Sequence, residues 1–297
     1  MTNDYMFRVI LQKNQFVLKG LIASLLHLEH QNIKNIYITN PIKLGEQIDS
    51  KAFVMDIHVI LNDDTLLNLE MQLLNTGNWV ERSLSYLCRM YDQLQSGDDY
   101  AEANTAIHIG LLDFTLFPAY PEFYAHYQMM NTKNYHIFSS KFQLHVLSLN
   151  QTELATEEDK RHQIDRWARL FRAKTWEELR MVAQSDNYMS EAAAEIYRMN
   201  ADEIIKEQCR AREDYYRHER HMKKSLEEAK QEAQAAKQET QAAKQEAQAA
   251  KQEAQAAIRR ATTAEKETKD AIQRAIDAEQ RIIELEALLK QATENQK

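Results

Sequence analysis

No glycine or proline follows Pro121, although the chain runs on for another 176 residues (297 − 121). These two residues interrupt helices and strands most strongly. A stretch this long without either is predicted to be helical. All five Gly and all three Pro lie at or before Pro121, so tight turns, and the sheets that need them, are confined to the first part. The chain thus divides into a mixed N-terminal region and a helical remainder.

The remainder contains a repeat. Residues 229–256 are four near-copies of Ala-Lys-Gln-Glu-Ala-Gln-Ala, with Thr240 the one change. A period of seven is a helix surface. Alternating steps of four and three trace a seam from Met222 and Leu226 through Ala236, Ala250 and Ala264 to Ile282, Leu285, Leu289 and Ala292. Such a seam is the pattern of a left-handed coiled coil. Alanine buries little area, so each layer contributes far less than the ~1.5–3 kcal/mol of a buried Leu or Ile. Two readings stay open: a solvated single helix, and a homo-oligomer zipped at its Ile282–Leu289 end.

The N-terminal region alternates element types. Apolar positions at helical spacing predict a helix over 14–28, and β-type segments follow at 33–39, 52–61 and 66–74. Residues 62–65, Asn-Asp-Asp-Thr, are a hairpin loop between the last two. A helix is predicted over 78–95, then strands over 106–114 and 142–149, and from Glu153 everything reads as helix. This is an α/β order. The expected domains are 1–150, a helical subdomain over 151–221, and the repeat helix over 222–297.

Charge and cysteine usage narrow the function. The net charge is −8, with 10 basic and 15 acidic residues in 1–150 and 14 of each in 222–297. Broad affinity for DNA needs clustered Lys and Arg, so any nucleic-acid contact must be local. Cys88 and Cys209 supply neither a disulfide framework nor a metal cluster, and read as reduced thiols. His218, Glu219 and His221 match no common zinc helix motif. The apolar run Phe16–Leu28 is too short for a membrane span and carries Lys19. A cytoplasmic protein is expected.

The chemistry concentrates in the hairpin. Asp56 interrupts the apolar run 52–61, and an ionised carboxylate there is costly unless paired or metal-bound. In the partner strand Asn68, Glu70 and Gln72 share one face, and the loop position puts Glu70 roughly opposite residue 57. Two converging carboxylates repel unless a cation or proton sits between them. Mg²⁺ takes one or two carboxylates and leaves positions for water and phosphate. The competing account is a polar sheet face in which a nearby Arg or Lys satisfies Asp56. On the next helix Arg82, Tyr86 and Arg89 share a face. Arg82 is placed either to clamp phosphate and orient Glu70, or to pair with Glu81 or Asp92.

Several motifs occur in order: Asn3-Asp4-Tyr5-Met6-Phe7, Lys51 through Met55-Asp56-Ile57, Asn68-Leu69-Glu70-Met71-Gln72, Arg82 with Tyr86, and Gln93-Leu94 through Gly97 and Tyr100. On these the chain resembles the Rpn-type recombination-promoting nucleases, transposases of the PD-(D/E)XK superfamily. The resemblance covers roughly 1–150 and weakly extends to about 220. It implies a restriction-endonuclease-like α/β core and DNA cleavage dependent on Mg²⁺ or another divalent cation. Asp56 and Glu70 would be the metal ligands, and Gln72 would stand where the superfamily pattern places Lys. Gln supplies no positive charge, so Lys51 is a candidate to restore one, with Arg82 and Tyr86 in support. Asp4 reads either as further support from the N-terminal segment or as the cap at a helix start.

Two functions therefore compete. One is a metal-dependent endodeoxyribonuclease promoting recombination or mobile-element activity. The other is a degenerate nuclease core carried on an oligomerising rod.

Overall fold

A computed structural model describes residues 3–42, 56–184 and 186–294. The chain forms two compact units, Met1–Met222 and Lys223–Lys297. The first begins with α1 (Asp4–Lys13) and α2 (Gln15–Leu25). Asparagines start both helices: Asn3 Oδ1 accepts from the Met6 N–H at 3.1 Å, and Asn14 Oδ1 from the Val17 N–H at 3.1 Å. Such caps satisfy amides that have no partner within the helix. The sequence reading set its first helix over 14–28 and marked α1 only through Asp4 as a helix start.

Among the described residues six strands build one mixed sheet: β1 (Ile36–Ile38), β2 (Ile57–Leu61), β3 (Thr65–Gln72), β4 (Thr105–Leu112), β5 (Tyr124–Gln128) and β6 (Phe142–Ser148). Their order is β1-β2-β3-β4-β6-β5. The β3–β4 and β4–β6 pairs are parallel, and the others antiparallel. Parallel neighbours need a crossover, and α3 (Trp79–Tyr91) lies in the one joining β3 to β4. Five of the six strands fall on the predicted segments, with residues 52–55 outside the described residues. β5 was not predicted.

The two faces of the sheet differ. Ile57, Val59, Leu67, Leu69, Met71, Ile107, Ile109 and Leu111 belong to one buried core. Side chains of α1, α2, α5 (Ile164–Arg172) and α7 (Asn187–Ala201) share that core, α5 through Trp167 and Phe171 among others. The alternate positions, Asn68, Glu70, Gln72 and His108, form a polar strip on the opposite face, where α3 packs. Gly110 lies in that strip because a Cβ there would collide with the Trp79 indole. Trp79 itself packs with Leu112, Ala125 and Val146.

The remaining helices are α4 (Glu157–Arg161), α6 (Trp176–Ala183) and α8 (Glu203–Glu294). Within the second unit the apolar side chains of α8, among them Ile258, Ile272, Ile282, Leu285 and Leu288, are exposed. The side chains of Leu289 and Ala292 lie outside the described residues. Among the described residues no helix is long and apolar enough to cross a membrane.

Candidate active site

The β2–β3 hairpin turns through three residues, since Leu61 pairs with Thr65. Asn62 and Asp63 both adopt positive φ, +52° and +68°, a conformation that Asn and Asp tolerate better than most residues. The ladder continues to Ile57 opposite Leu69, so the next register position sets Asp56 against Glu70. Directly opposed residues of an antiparallel pair share a face. The sequence estimate of residue 57 was off by one, because the loop is one residue shorter than read.

Asp56 is buried, and its Oδ2 lies 2.8 Å from His58 Nε2. Burial pushes its carboxyl up, but the His58 hydrogen bond and charge, with the nearby Arg8 guanidinium, more than offset this and leave it below the ordinary range. Asn40 holds the local backbone: its Nδ2 donates to the Asp56 carbonyl at 3.1 Å, and its Oδ1 accepts from the His58 N–H at 2.8 Å. Arg8, fully buried in α1, donates through Nη2 to the Asn40 carbonyl. Burial lowers the Arg8 pKa to about 10, which leaves it charged at neutral pH.

Glu70 sits in a tighter setting. Arg82 Nη2 donates to Glu70 Oε1 at 2.6 Å and also to Gln72 Oε1. Gln72 is fixed in turn, its Nε2 donating to the Leu74 carbonyl at 2.7 Å and to Thr76 Oγ1 at 3.2 Å. Glu70 Oε2 is buried and makes no well-directed hydrogen bond; His108 Nε2 is 3.7 Å away. Burial raises the Glu70 pKa, Arg82 opposes the rise, and the negative charge of Asp56 adds to it. The nearby Trp79 indole N–H, itself without a well-directed acceptor, works with Arg82 to lower it. With Asn68 Nδ2 donating to His108 Nδ1 at 3.0 Å, the ring proton stays on Nε2, toward Glu70. Burial lowers His108 to about 4, so the imidazole is neutral at pH 7. Tyr86 and Trp79 of α3 bring their rings within 6.1 and 5.9 Å of the His108 ring.

The hairpin and α3 thus gather Asp56, Glu70, Gln72 and Arg82, with Tyr86 beside them at His108. Asp4 stands apart. Its carboxylate accepts from Arg212 Nε and Nη2, the latter at 2.7 Å, and from the Tyr216 hydroxyl at 2.6 Å. These bonds commit it to α8 rather than to the hairpin, and Asn3 caps α1 in its place. Lys51 lies outside the described residues. Sequence reasoning passed over His58, His108, Arg8 and Asn40. A signal existed for two of them: His58 shares a strand face with Asp56, and His108 interrupts an apolar run in β4.

Chemically, the strip offers two carboxylates that act on each other and one buried acceptor oxygen without a well-directed donor. A donor set of oxygens suits a hard divalent cation, and Arg82 adds a fixed positive charge with planar donors for phosphate. No curated protein and no solved structure matches the chain. A family model does, described as PD-(D/E)XK nuclease family transposase, and its match spans residues 1–229, which takes in the sheet, α1 to α7 and the start of α8. The chain belongs to the PD-(D/E)XK nuclease family transposases.

Proposed function

We propose that this chain is a divalent-metal-dependent DNA endonuclease of the recombination-promoting type, acting in the cytoplasm with Mg²⁺ or a similar ion held by Asp56 and Glu70. The observation that carries this reading is Glu70 Oε2, buried and lacking a well-directed donor, with the negative charge of Asp56 acting on Glu70 from just beyond the Ile57–Leu69 pair. A bound divalent ion supplies Lewis-acid polarisation of the phosphodiester and a lowered pKa for the attacking water.

The chain's own residues do the rest. His58 and Arg8 keep Asp56 ionised. Gln72, where the superfamily pattern has Lys, anchors Arg82 through its carbonyl oxygen. The guanidinium then provides the positive charge that Gln72 lacks, directed at charge developing on the phosphoryl oxygens. Tyr86 is a hydrogen-bonding group for the same ligand, and Lys51 a second source of positive charge.

Local basic residues answer the acidic balance of 1–150. Arg166, Arg169, Arg172 and Lys174, with Asp165 and Glu178 beside them, line a cleft of about 590 Å³. Arg172 Nε lies 3.4 Å from Asp113, whose N–H donates to the Gln72 carbonyl at 3.0 Å. The cleft therefore lies by the Gln72 end of β3, on the α5 side of the sheet, and its basic side chains suit a phosphate backbone.

The test is nicking of supercoiled plasmid by the full chain with Mg²⁺. Activity should vanish with EDTA and in Asp56→Ala and Glu70→Ala; undiminished nicking in both variants would remove this site from the reaction. One observation favours a second reading, an oligomerising rod: the exposed Ile282, Leu285 and Leu288 of α8. Sedimentation of the full chain against a 1–222 truncation separates the two, since the rod reading requires the mass to fall by more than the tail.

A further inference from the structure

A second cluster of metal-binding side chains lies away from the hairpin carboxylates. We propose that His27, Glu158 and His162 bind a transition-metal ion of the Zn²⁺ class, linking the C-terminal end of α2 to α4.

Three observations carry this. First, one ligand atom from each residue falls within 4.8 Å of the other two, and His27 Nδ1 is 3.7 Å from Glu158 Oε1. Ligands on a tetrahedral ion with bonds near 2.1 Å are about 3.4 Å apart, so a small contraction suffices. Two imidazoles and a carboxylate are a donor set that zinc accepts, with a fourth position for water.

Second, Glu158 and His162 are four residues apart on the helix and its C-cap. That spacing sets two side chains on the same face, one turn apart.

Third, His27 adopts φ +53° immediately after α2. The Leu28 N–H donates to the Ala23 carbonyl at 2.9 Å and the His27 N–H to Ser24 at 3.3 Å, the double closure that ordinarily has Gly at this position. A side chain here costs on the order of 1 kcal/mol. A residue kept in this conformation with a ring aimed at Glu158 points to a use for the ring.

The His27 and His162 rings lie face to face, 4.0 Å apart and 2° from parallel. An ion between them would sit outside both ring planes, so coordination requires one imidazole to turn about χ2, a soft and nearly two-fold torsion. Room exists for that movement. His27 and Glu158 open onto a cavity of about 770 Å³, also lined by Tyr124, His126, His145 and Asp159. This cavity reaches Asn62 and Thr65, the turn end of the hairpin, whereas Glu70 and Gln72 lie toward the other end of β3. The two sites are separate.

The experiment titrates Zn²⁺ alone into the EDTA-stripped full chain and counts tightly bound ions by calorimetry. The comparison uses His27→Asn, which tolerates positive φ, Glu158→Gln and His162→Gln. Each variant should lose one tight ion relative to the parent chain. Zn²⁺ should raise the thermal midpoint of the parent and raise that of each variant less. His162 carries no positive φ, so His162→Gln keeps the test decisive should His27→Asn unfold. The visible absorption of a Co²⁺-loaded parent should be lost in the same variants. An unchanged ion count across all folded variants, or no tight ion in the parent, overturns the proposal.

Discussion

One guanidinium nitrogen of Arg82 serves both Glu70 and Gln72: it donates to Glu70 Oε1 at 2.6 Å and to the Gln72 side-chain carbonyl. A Lys at position 72 would itself bring the positive charge and would repel Arg82. With Gln there, the carbonyl oxygen attracts Arg82, and the charge reaches the strip from α3 instead of β3. Charge and its anchor are then two residues, and they must be tested together.

Arg82→Ala is expected to lower plasmid nicking by about 10²-fold, the usual effect of removing one preorganised donor from a developing oxyanion. Gln72→Lys should recover part of that loss in the Arg82→Ala background, yet lower activity in the parent, where two cations would crowd Glu70. The four rates form a double-mutant cycle. Strictly additive effects would mean that the two side chains do not cooperate.

Stability should fall with acid in the histidine window. His108 and His145 are buried, and burial depresses them from 6.5 to about 4 and about 3. Below pH ~6.5 the unfolded chain takes up protons that the folded chain refuses, so folding loses free energy as pH drops. At pH ~5.5 each histidine costs about 1.2 kcal/mol relative to pH ~7. Glu70, raised by burial, acts in the opposite sense, because protonation relieves its folded form. Urea unfolding at several pH values should therefore show a shallower acid slope for His145→Gln than for the parent. Parallel slopes would discount the buried neutral imidazole.

How much of this was legible in the sequence follows the range of the interactions. The hairpin, α3 and β4 were readable because alternation, a turn cluster and a helical face are local patterns. The register slipped by one because two consecutive positive φ angles at Asn62 and Asp63 close a three-residue loop. β5 is a short edge strand whose Tyr124–Gln128 run alternates poorly and is half exposed. α1 is buried over most of its circumference, Asp4 and Arg8 included, so it lacks the polar face that marks a helix in sequence. His108 meets Glu70 and Asn68 only through the parallel β3–β4 register, which no local pattern encodes. The partners of Asp4 lie 208 and 212 residues away.

Asp4 offers a clear division between support of the fold and support of the reaction. Its carboxylate is buried and takes Arg212 through two nitrogens, with the Tyr216 hydroxyl as a third donor. Breaking the Asp4–Arg212 pair by removing the carboxylate charge costs about 3–5 kcal/mol. Asp4→Asn should lower the unfolding free energy by that amount, read from denaturant unfolding. At a temperature where it remains folded, it should keep most of its Mg²⁺-dependent nicking. Loss of nicking without loss of stability would return Asp4 to the reaction.

Gly110 tests whether the fold sets the position of the Arg82 charge. A methyl group there would collide with the Trp79 indole, which is buried and packs with Leu112, Ala125 and Val146. Trp79 opens α3 and Arg82 lies three residues on, so displacing the indole moves the guanidinium as well. Gly110→Ala is expected to cost about 1–3 kcal/mol by overpacking. Nicking should fall further than the stability loss explains, because a misplacement near 1 Å is enough to cost about 10²-fold. Trp79→Phe in the Gly110→Ala background shortens the ring that the new methyl meets, and should restore nicking along with stability. If stability returns and nicking does not, the packing of α3 on β4 is not what positions Arg82.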